Sequence, residues 1–479
     1  MSDLDFAPEL REECGVFGVY APGRSVSHLI YDGLFALQHR GQESAGMAVS
    51  DGRYVEVTKD MGLVSNVFNE FSLAALTGHL GIGHTRYSTT GSSQWHNAQP
   101  IYRTVGESGF ALGHNGNLTN TVSLVEQSGM LSGTVSSDSD LIGELIARAF
   151  PTEESADGRD LERSMLHVLP KLQGAYSLVV MDASHVVGVR DPNGFRPLCL
   201  GRLDSGWVIA SESPALDIVG AHFVREIDPG EMVVIDATGI RSLHPFPEER
   251  ISPKLCIVEF VYFARPDAKL YGKELHGARR RMGELLAEQS PVDADMVMGV
   301  PESGLPAAEG YAKRSGIPYG QGLVKNRYIG RTFIAPDQAS RDIGVRRKFN
   351  PLHDNVRGKR LVVVDDSIVR GTTHKAVMRM LREAGAAEIH LRIMLPPWKN
   401  PCVYGIDTGT KAELLAANMT VGEIENYMGV DSLAYLQLDK VIEAIDAPGA
   451  GFCTACLTGD YPITPDVELA KGVLDIARV

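Results

Sequence analysis

Residues 362–373 read VVVDDSIVRGTT. The three valines predict an interior strand of a parallel sheet, apolar on both faces. In such sheets ligands bind just beyond the carboxyl ends of the strands, where Asp365 and Asp366 stand. Two adjacent carboxylates there can hold ribose hydroxyls or a hydrated Mg²⁺. Ser367, Arg370, Gly371, Thr372 and Thr373 follow as a short hydroxyl-rich loop. It leads into a helix whose first backbone N–H groups face an anion. A bare DD pair would read as an acidic strand end, but the whole run suits a sugar phosphate with both hydroxyls and phosphate. There is no G-x-x-x-x-G-K-[ST] run and no G-x-G-x-x-G after a strand, so P-loop and dinucleotide readings fail.

The flanking sequence extends this pattern. ADMVMGV and EIHLRIML read as further buried strands, and KELHGARRRMGELLAEQS and THKAVMRMLREAG as helices. Alternation of this kind predicts a doubly wound parallel α/β sheet. VMGVPESGLPAAEGYAK puts Pro301, Glu302, Ser303 and Gly304 in a turn after the earlier strand. Residues 325–351 read KNRYIGRTFIAPDQASRDIGVRRKFNP. They carry Lys325, Arg327, Arg331, Arg341, Arg346, Arg347 and Lys348 against only Asp337 and Asp342. A long basic stretch with no structure of its own reads as a lid over an anion.

These residues resemble the phosphoribosyl-pyrophosphate (PRPP) motif of type I phosphoribosyltransferases. The resemblance implies that Asp365 and Asp366 hold the ribose hydroxyls and, with Ser303, a Mg²⁺–pyrophosphate. It implies that Ser367, Arg370, Gly371, Thr372 and Thr373 hold the 5′-phosphate. Lys325, Arg327 and Arg331 of the basic stretch are expected to close over PRPP.

The first half has another rhythm. CGVFGVY and SAGMAVS read as strands, VSHLIYDGLFALQHR and SSDSDLIGELIARAF as helices, and strands resume from about Gly174. Sheets with two or three helices outside them are expected. HPFPEERISPK, residues 244–254, reads as a linker. Cys14 opens the first strand after a thirteen-residue acidic lead. A lone cysteine there is more often buried and inert. If the lead were removed, Cys14 would carry a free α-amine, which titrates near about 8 and can activate the thiol beside it. GHTRYST places Arg86 after a strand, SSDSD places Asp138 at a helix start, and GHNGN reads as a glycine-bearing turn. A cation for an α-carboxylate, an anion for an α-ammonium, and a donor pair from Asn115 and Gly116 for an oxyanion suit a free amino acid. In this order, CGVFGV, LQHRGQESAG, GHTRYST, GHNGN and SSDSD resemble the class II glutamine amidotransferase domain of the N-terminal-nucleophile (Ntn) hydrolases. That resemblance implies an αββα fold, Cys14 as nucleophile, Arg86 and Asp138 on glutamine, and Asn115 and Gly116 on the oxyanion.

The 479 residues suit two or three domains. A formal charge of −14 argues against general nucleic-acid binding. No run approaches the roughly 20 apolar residues of a membrane span, and no secretory signal is evident, so a cytoplasmic protein is expected. Cys199 reads as a core thiol. Cys256, Cys402 and the Cys453/Cys456 pair of CTAC could hold zinc, an iron–sulfur cluster or a redox pair, and spacing does not choose among them. Both halves together resemble the glutamine PRPP amidotransferase family over nearly the whole chain. The resemblance implies a propeptide of residues 1–13, a glutaminase domain of 14–245, a phosphoribosyltransferase domain of 255–445 and a tail of 446–479. It further implies a structural [4Fe–4S] cluster on Cys256, Cys402, Cys453 and Cys456, and one Mg²⁺ per subunit. Expected with these are glutamine and PRPP as substrates, feedback by purine nucleotides, a homotetramer, and ammonia passed internally to C1 of PRPP. Delivery of ammonia to a sugar phosphate or an aspartyl adenylate is disfavoured by the PRPP loop. A PRPP-sensing regulator is disfavoured by acidity and by the intact glutamine constellation.

Overall fold

The structure is a computed structural model that describes residues 14–87, 93–106, 108–131, 133–152, 155, 157–326, 345–408 and 410–465. The lead of residues 1–13, Arg327, Arg331 and Arg341 lie outside the described residues.

Two antiparallel sheets fill the first half. The first has seven strands in the order His222–Glu226, Cys199–Leu203, Gly206–Ala210, Gly15–Tyr20, Leu80–Arg86, Ser44–Ser50, Val55–Met61. The second has six, Gly239–Leu243, Met232–Asp236, Val186–Arg190, Gly174–Met181, Ser108–Leu118, Ile101–Val105. Strand periodicity of two sets the layers. Along Gly15–Tyr20, Val16 and Tyr20 join Ile82, Val179, Met181 and Val186 in the core between the sheets. Phe17 and Val19 point the other way, against Leu29, Ile30 and Leu34 of helix Ser27–Ala36. The outer face of the second sheet packs Leu112, Leu178 and Val180 on Leu141, Ile142, Leu161 and Met165 of helices Asp138–Ala149 and Asp160–Val168. The result is the αββα sandwich expected of an Ntn domain. Ser27–Ala36 and Asp138–Ala149 are the two helices the sequence names, and Asp160–Val168 makes a third within the expected two or three. Val64–Val67, Glu70–Ala75, Thr121–Gln127 and Pro214–Ile218 were not foreseen, being too short for a helical period to register.

One local expectation is corrected. GHNGN is no turn: it lies inside the eleven-residue strand Ser108–Leu118, paired residue by residue with Gly174–Met181. Gly116 carries the chain through at φ +148°, and a Cβ there would stand 2.0 Å from the Ala175 carbonyl oxygen. Glycine here serves close approach of two strands rather than a reversal.

The second half is built on four parallel strands, Met296–Gly299, Arg360–Asp365, Glu388–Ile393 and Ser432–Tyr435, in that spatial order. Val362 and Val364 face Leu286, Ala307 and Ala308 of helices Leu275–Gln289 and Leu305–Ser315. Leu361 and Val363 face Val377, Met378 and Ile424 on the opposite side. This is the doubly wound sheet the valine run predicts. Residues 244–254 are docked on the first half: Arg250 donates to the Pro170 and Leu172 carbonyls, and Lys254 N to Asn193 O. A buried charge network joins the halves, with Glu259 between Arg40 at 2.5 Å and Arg196 at 3.7 Å. Among the described residues no helix is long and apolar enough to cross a membrane.

Candidate functional sites

Cys14 heads the strand Gly15–Tyr20 beside the end of strand Leu80–Arg86, and its Sγ–H donates to the Tyr87 carbonyl at 3.4 Å. Burial pushes the thiol up to about 12; Arg86 opposes that rise, while Asp138 and Glu43 add to it. The three sequence-selected residues are therefore electrostatic neighbours. Arg86 is the last residue of its strand and stands 4.0 Å from Glu43, a partner the sequence reading did not select. Asp138 sits in the first turn of helix Asp138–Ala149, where carboxylates suit the helix dipole. Its oxygens accept from Leu118 N at 3.2 Å and Ser139 N at 2.8 Å. The Asn115 side chain is buried, and neither its oxygen nor its nitrogen has a hydrogen-bond partner among the described residues. Such an orphaned amide is costly unless a ligand completes it. Its strand lies against the Arg86 strand, with the His84 ring 3.0 Å from the His114 carbonyl oxygen. Burial lowers His84 to about 3, so that ring is neutral.

In the second half Asp365 closes its strand and Asp366 follows, both buried. Burial and then the charge of Asp365 hold the Asp366 carboxyl well above the usual carboxylate range. Ser367 Oγ donates to Asp366 at 2.5 Å, and Ser303 Oγ to Asp365 at 3.4 Å. The predicted pyrophosphate turn and acid pair therefore meet. His374, the residue after the quoted run, brings Nε2 to 2.9 Å from Asp365 Oδ2. Gly371 at φ +73° starts helix Thr372–Glu383. A Cβ there would meet Leu415 and Met428 side chains at 2.7 Å. Arg370 stands 3.6 Å from Glu413, and its Nε is buried without a hydrogen-bond partner among the described residues. Lys325 ends a short strand paired with Phe349–Pro351 and reaches Glu302 at 3.6 Å, which places the root of the basic stretch over the 301–304 turn.

The four cysteines set apart from Cys14 and Cys199 converge. Strands Leu255–Cys256 and Phe452–Cys453 run parallel with Cys256 opposite Cys453. Cys256, Cys402, Cys453 and Cys456 line one small pocket with Phe195, Arg196 and Tyr404. Burial pushes Cys453 up to about 12, with Cys402 adding to the rise, and holds Cys456 well above the usual thiol range, with Cys256, Cys402 and Cys453 adding.

Comparison with known proteins reads both halves together. The glutamine amidotransferase domain family matches residues 84–217, and the phosphoribosyl transferase domain family residues 273–402. The amidophosphoribosyltransferase of Mycobacterium tuberculosis is 53% identical over 476 residues, covering 96% of this chain and 88% of its own. The chain belongs to the amidophosphoribosyltransferase family. Members are glutamine-dependent transferases of the first step of purine biosynthesis. The Synechococcus elongatus amidophosphoribosyltransferase is 49% identical, covering 98% of this chain and 95% of its own. The solved Bacillus subtilis glutamine PRPP amidotransferase, in complex with ADP and GMP, is 41% identical with a TM-score of 0.86, covering 95% of this chain and all of that one.

Within this amidophosphoribosyltransferase fold, the residues that sequence reading missed fall in two groups. Glu43 and His374 lie within or beside quoted motifs, where a charged or imidazole side chain was signal enough. Arg279 was invisible. It sits in helix Leu275–Gln289, donates to the Phe260 and Ala264 carbonyls at 2.8 and 2.6 Å, and acts electrostatically on Asp366.

Proposed function

We propose that this chain hydrolyses glutamine at Cys14 and uses the ammonia to displace pyrophosphate from C1 of PRPP, giving 5-phosphoribosylamine. The observation that carries the reading is the grouping of Cys14, Arg86 and Asp138 beside the strand bearing the unpartnered Asn115 amide, on the same chain as the Asp365/Asp366 pair. Arg86 binds the α-carboxylate of glutamine and Asp138 its α-ammonium. With its lead of residues 1–13 removed, Cys14 has an α-amine that takes the thiol proton. The thiolate attacks the side-chain amide carbon. The oxyanion accepts hydrogen bonds from Asn115 Nδ2 and Gly116 N–H. Collapse breaks the C–N bond, the proton returns to the leaving nitrogen, and water releases glutamate from the thioester.

At the second site Asp365 and Asp366 hold the ribose hydroxyls. The 367–373 loop holds the 5′-phosphate on the N–H groups of helix Thr372–Glu383. Lys325, with Arg327 and Arg331, covers the pyrophosphate and excludes water. Two adjacent buried carboxylates, whose negative charge burial and mutual repulsion make costly, are a donor set suited to Mg²⁺, with Ser303 beside them. When bound, the ion neutralises pyrophosphate charge. Ammonia crosses between the sites inside the protein, because in water it is captured as ammonium.

The four cysteines fit a structural [4Fe–4S] cluster. They line one pocket, with Cys256 opposite Cys453 across a parallel strand pair, and that convergence supports the reading. Such a cluster pins the 446–479 tail to the 255–445 domain. The boundaries 1–13 and 14–245, a cytoplasmic homotetramer, and feedback by purine nucleotides complete the proposal. The nucleotides bound in the B. subtilis relative support the last of these. The test is PRPP-dependent release of glutamate with matching pyrophosphate. Glutamate release that ignores PRPP, or pyrophosphate release that ignores the nitrogen source, would contradict it.

A further inference from the structure

The cysteine cavity and the glutamine site meet through one short segment. Residues 403–405 leave Cys402, whose Sγ accepts from Tyr404 N at 3.4 Å, and run directly behind the strand that carries Asn115 and Gly116. Asn117 Nδ2 donates to the Val403 carbonyl at 3.0 Å. Arg196, itself fully buried, donates to the Tyr404 carbonyl from Nε at 3.1 Å and Nη2 at 2.6 Å. The Tyr404 ring stacks on Phe195 with centroids 4.3 Å apart. Gly405, at φ +114°, is packed so closely that a Cβ would stand 3.2 Å from Gly116 C and 3.3 Å from Gly116 Cα. The segment belongs to the second half of the chain, where the Tyr404 hydroxyl also bonds Ile463, while Asn117, Gly116, Phe195 and Arg196 belong to the first.

We infer that residues 403–405 are a positioning element for the oxyanion site, with Gly405 and the Asn117–Val403 bond fixing where the Gly116 N–H points. Gly116 is held from one side by the strand 174–181 and from the other by Gly405. An oxyanion donor works only within a few tenths of an ångström of where the charge develops, so a wall that close sets the donor's aim. The clamp that holds the segment is itself anchored across the domain boundary, through Arg196 to Glu259 at 3.7 Å. The glutamine site is therefore completed by the phosphoribosyl half. The inference rests on the reading of Asn115 and Gly116 as the oxyanion pair.

The experiment compares Gly405→Ala, Asn117→Ala and Asn115→Ala in the full processed enzyme. Three quantities are measured: kcat and KM with glutamine, the rate with ammonia instead, and the inhibition constant of glutamate γ-semialdehyde. The aldehyde forms a tetrahedral adduct on a cysteine and so reports the oxyanion site directly. Gly405→Ala is expected to lower kcat with glutamine by about 10- to 100-fold. The aldehyde should weaken by the same factor, and KM and the ammonia-dependent rate should stay within about twofold. Asn117→Ala, which adds no atoms, is expected to do the same by about fivefold, and decides the matter should Gly405→Ala fail to fold. Parallel loss of the ammonia-dependent rate, or unchanged aldehyde inhibition in both variants while Asn115→Ala weakens it, overturns the inference alone. Unchanged aldehyde inhibition in Asn115→Ala overturns the oxyanion reading beneath it.

Discussion

The two sites hold their reactive groups in opposite ways. The glutamine site is dry and short of partners: burial keeps the Cys14 thiol protonated, and the Asn115 amide hydrogen-bonds to nothing among the described residues. The phosphoribosyl site is crowded with like charge: Asp365 and Asp366 are adjacent and buried, with Ser303, Ser367 and His374 drawn around them. The first sets a buried thiol beside Arg86, Asp138 and Glu43; the second sets two buried carboxylates within reach of Arg279. On the proposed reading, one is completed by release of the Cys14 α-amine and the other by Mg²⁺.

Four experiments probe this contrast, beginning with the largest effect. With the lead in place, a thiol near 12 ionises only as pH rises toward that value, so alkylation by iodoacetamide should climb tenfold per unit from pH 7 to 10. A chain begun at Cys14 should instead react readily at pH 8 and level off there, ahead by about 1,000-fold or more. Equal rates for trapped precursor and mature chain would erase the contrast. Cys14→Ala should then cost at least about 1,000-fold in glutamine-dependent synthesis while sparing the ammonia-dependent rate. Asn115→Ala should lower glutamine turnover by about 100- to 1,000-fold, again with ammonia-dependent synthesis spared. Asp366→Asn should weaken PRPP by about 10- to 100-fold and do so equally for both nitrogen sources. If the asparagine variant lost glutamine use alone, the division of labour between the two sites would be wrong.

Much of this was readable from the chain because the signals were local. VVVDD announced the strand Arg360–Asp365 and the acids at its end, since an apolar run stopped by two carboxylates has few other solutions in a parallel sheet. SSDSD announced the helix at Asp138, where Ser137 accepts from Asp140 N as a cap. CTAC drew attention to cysteines that the fold does gather. GHNGN misled because two glycines in five residues mimic a turn, and only the partner strand 174–181 shows why glycine is needed. Contacts that cross the domain boundary left no trace in either segment: Gly405 on Gly116, or Glu259 between Arg40 and Arg196, depend on residues some 60 to 290 positions apart.

The central claim is that Cys14 works as an N-terminal residue. Intact-mass measurement of purified enzyme, taken together with its rate of PRPP-dependent glutamate release, tests that claim most directly. The account predicts that the active chain begins at Cys14, with activity proportional to the fraction so processed. A fully active preparation that still carries residues 1–13 would contradict it.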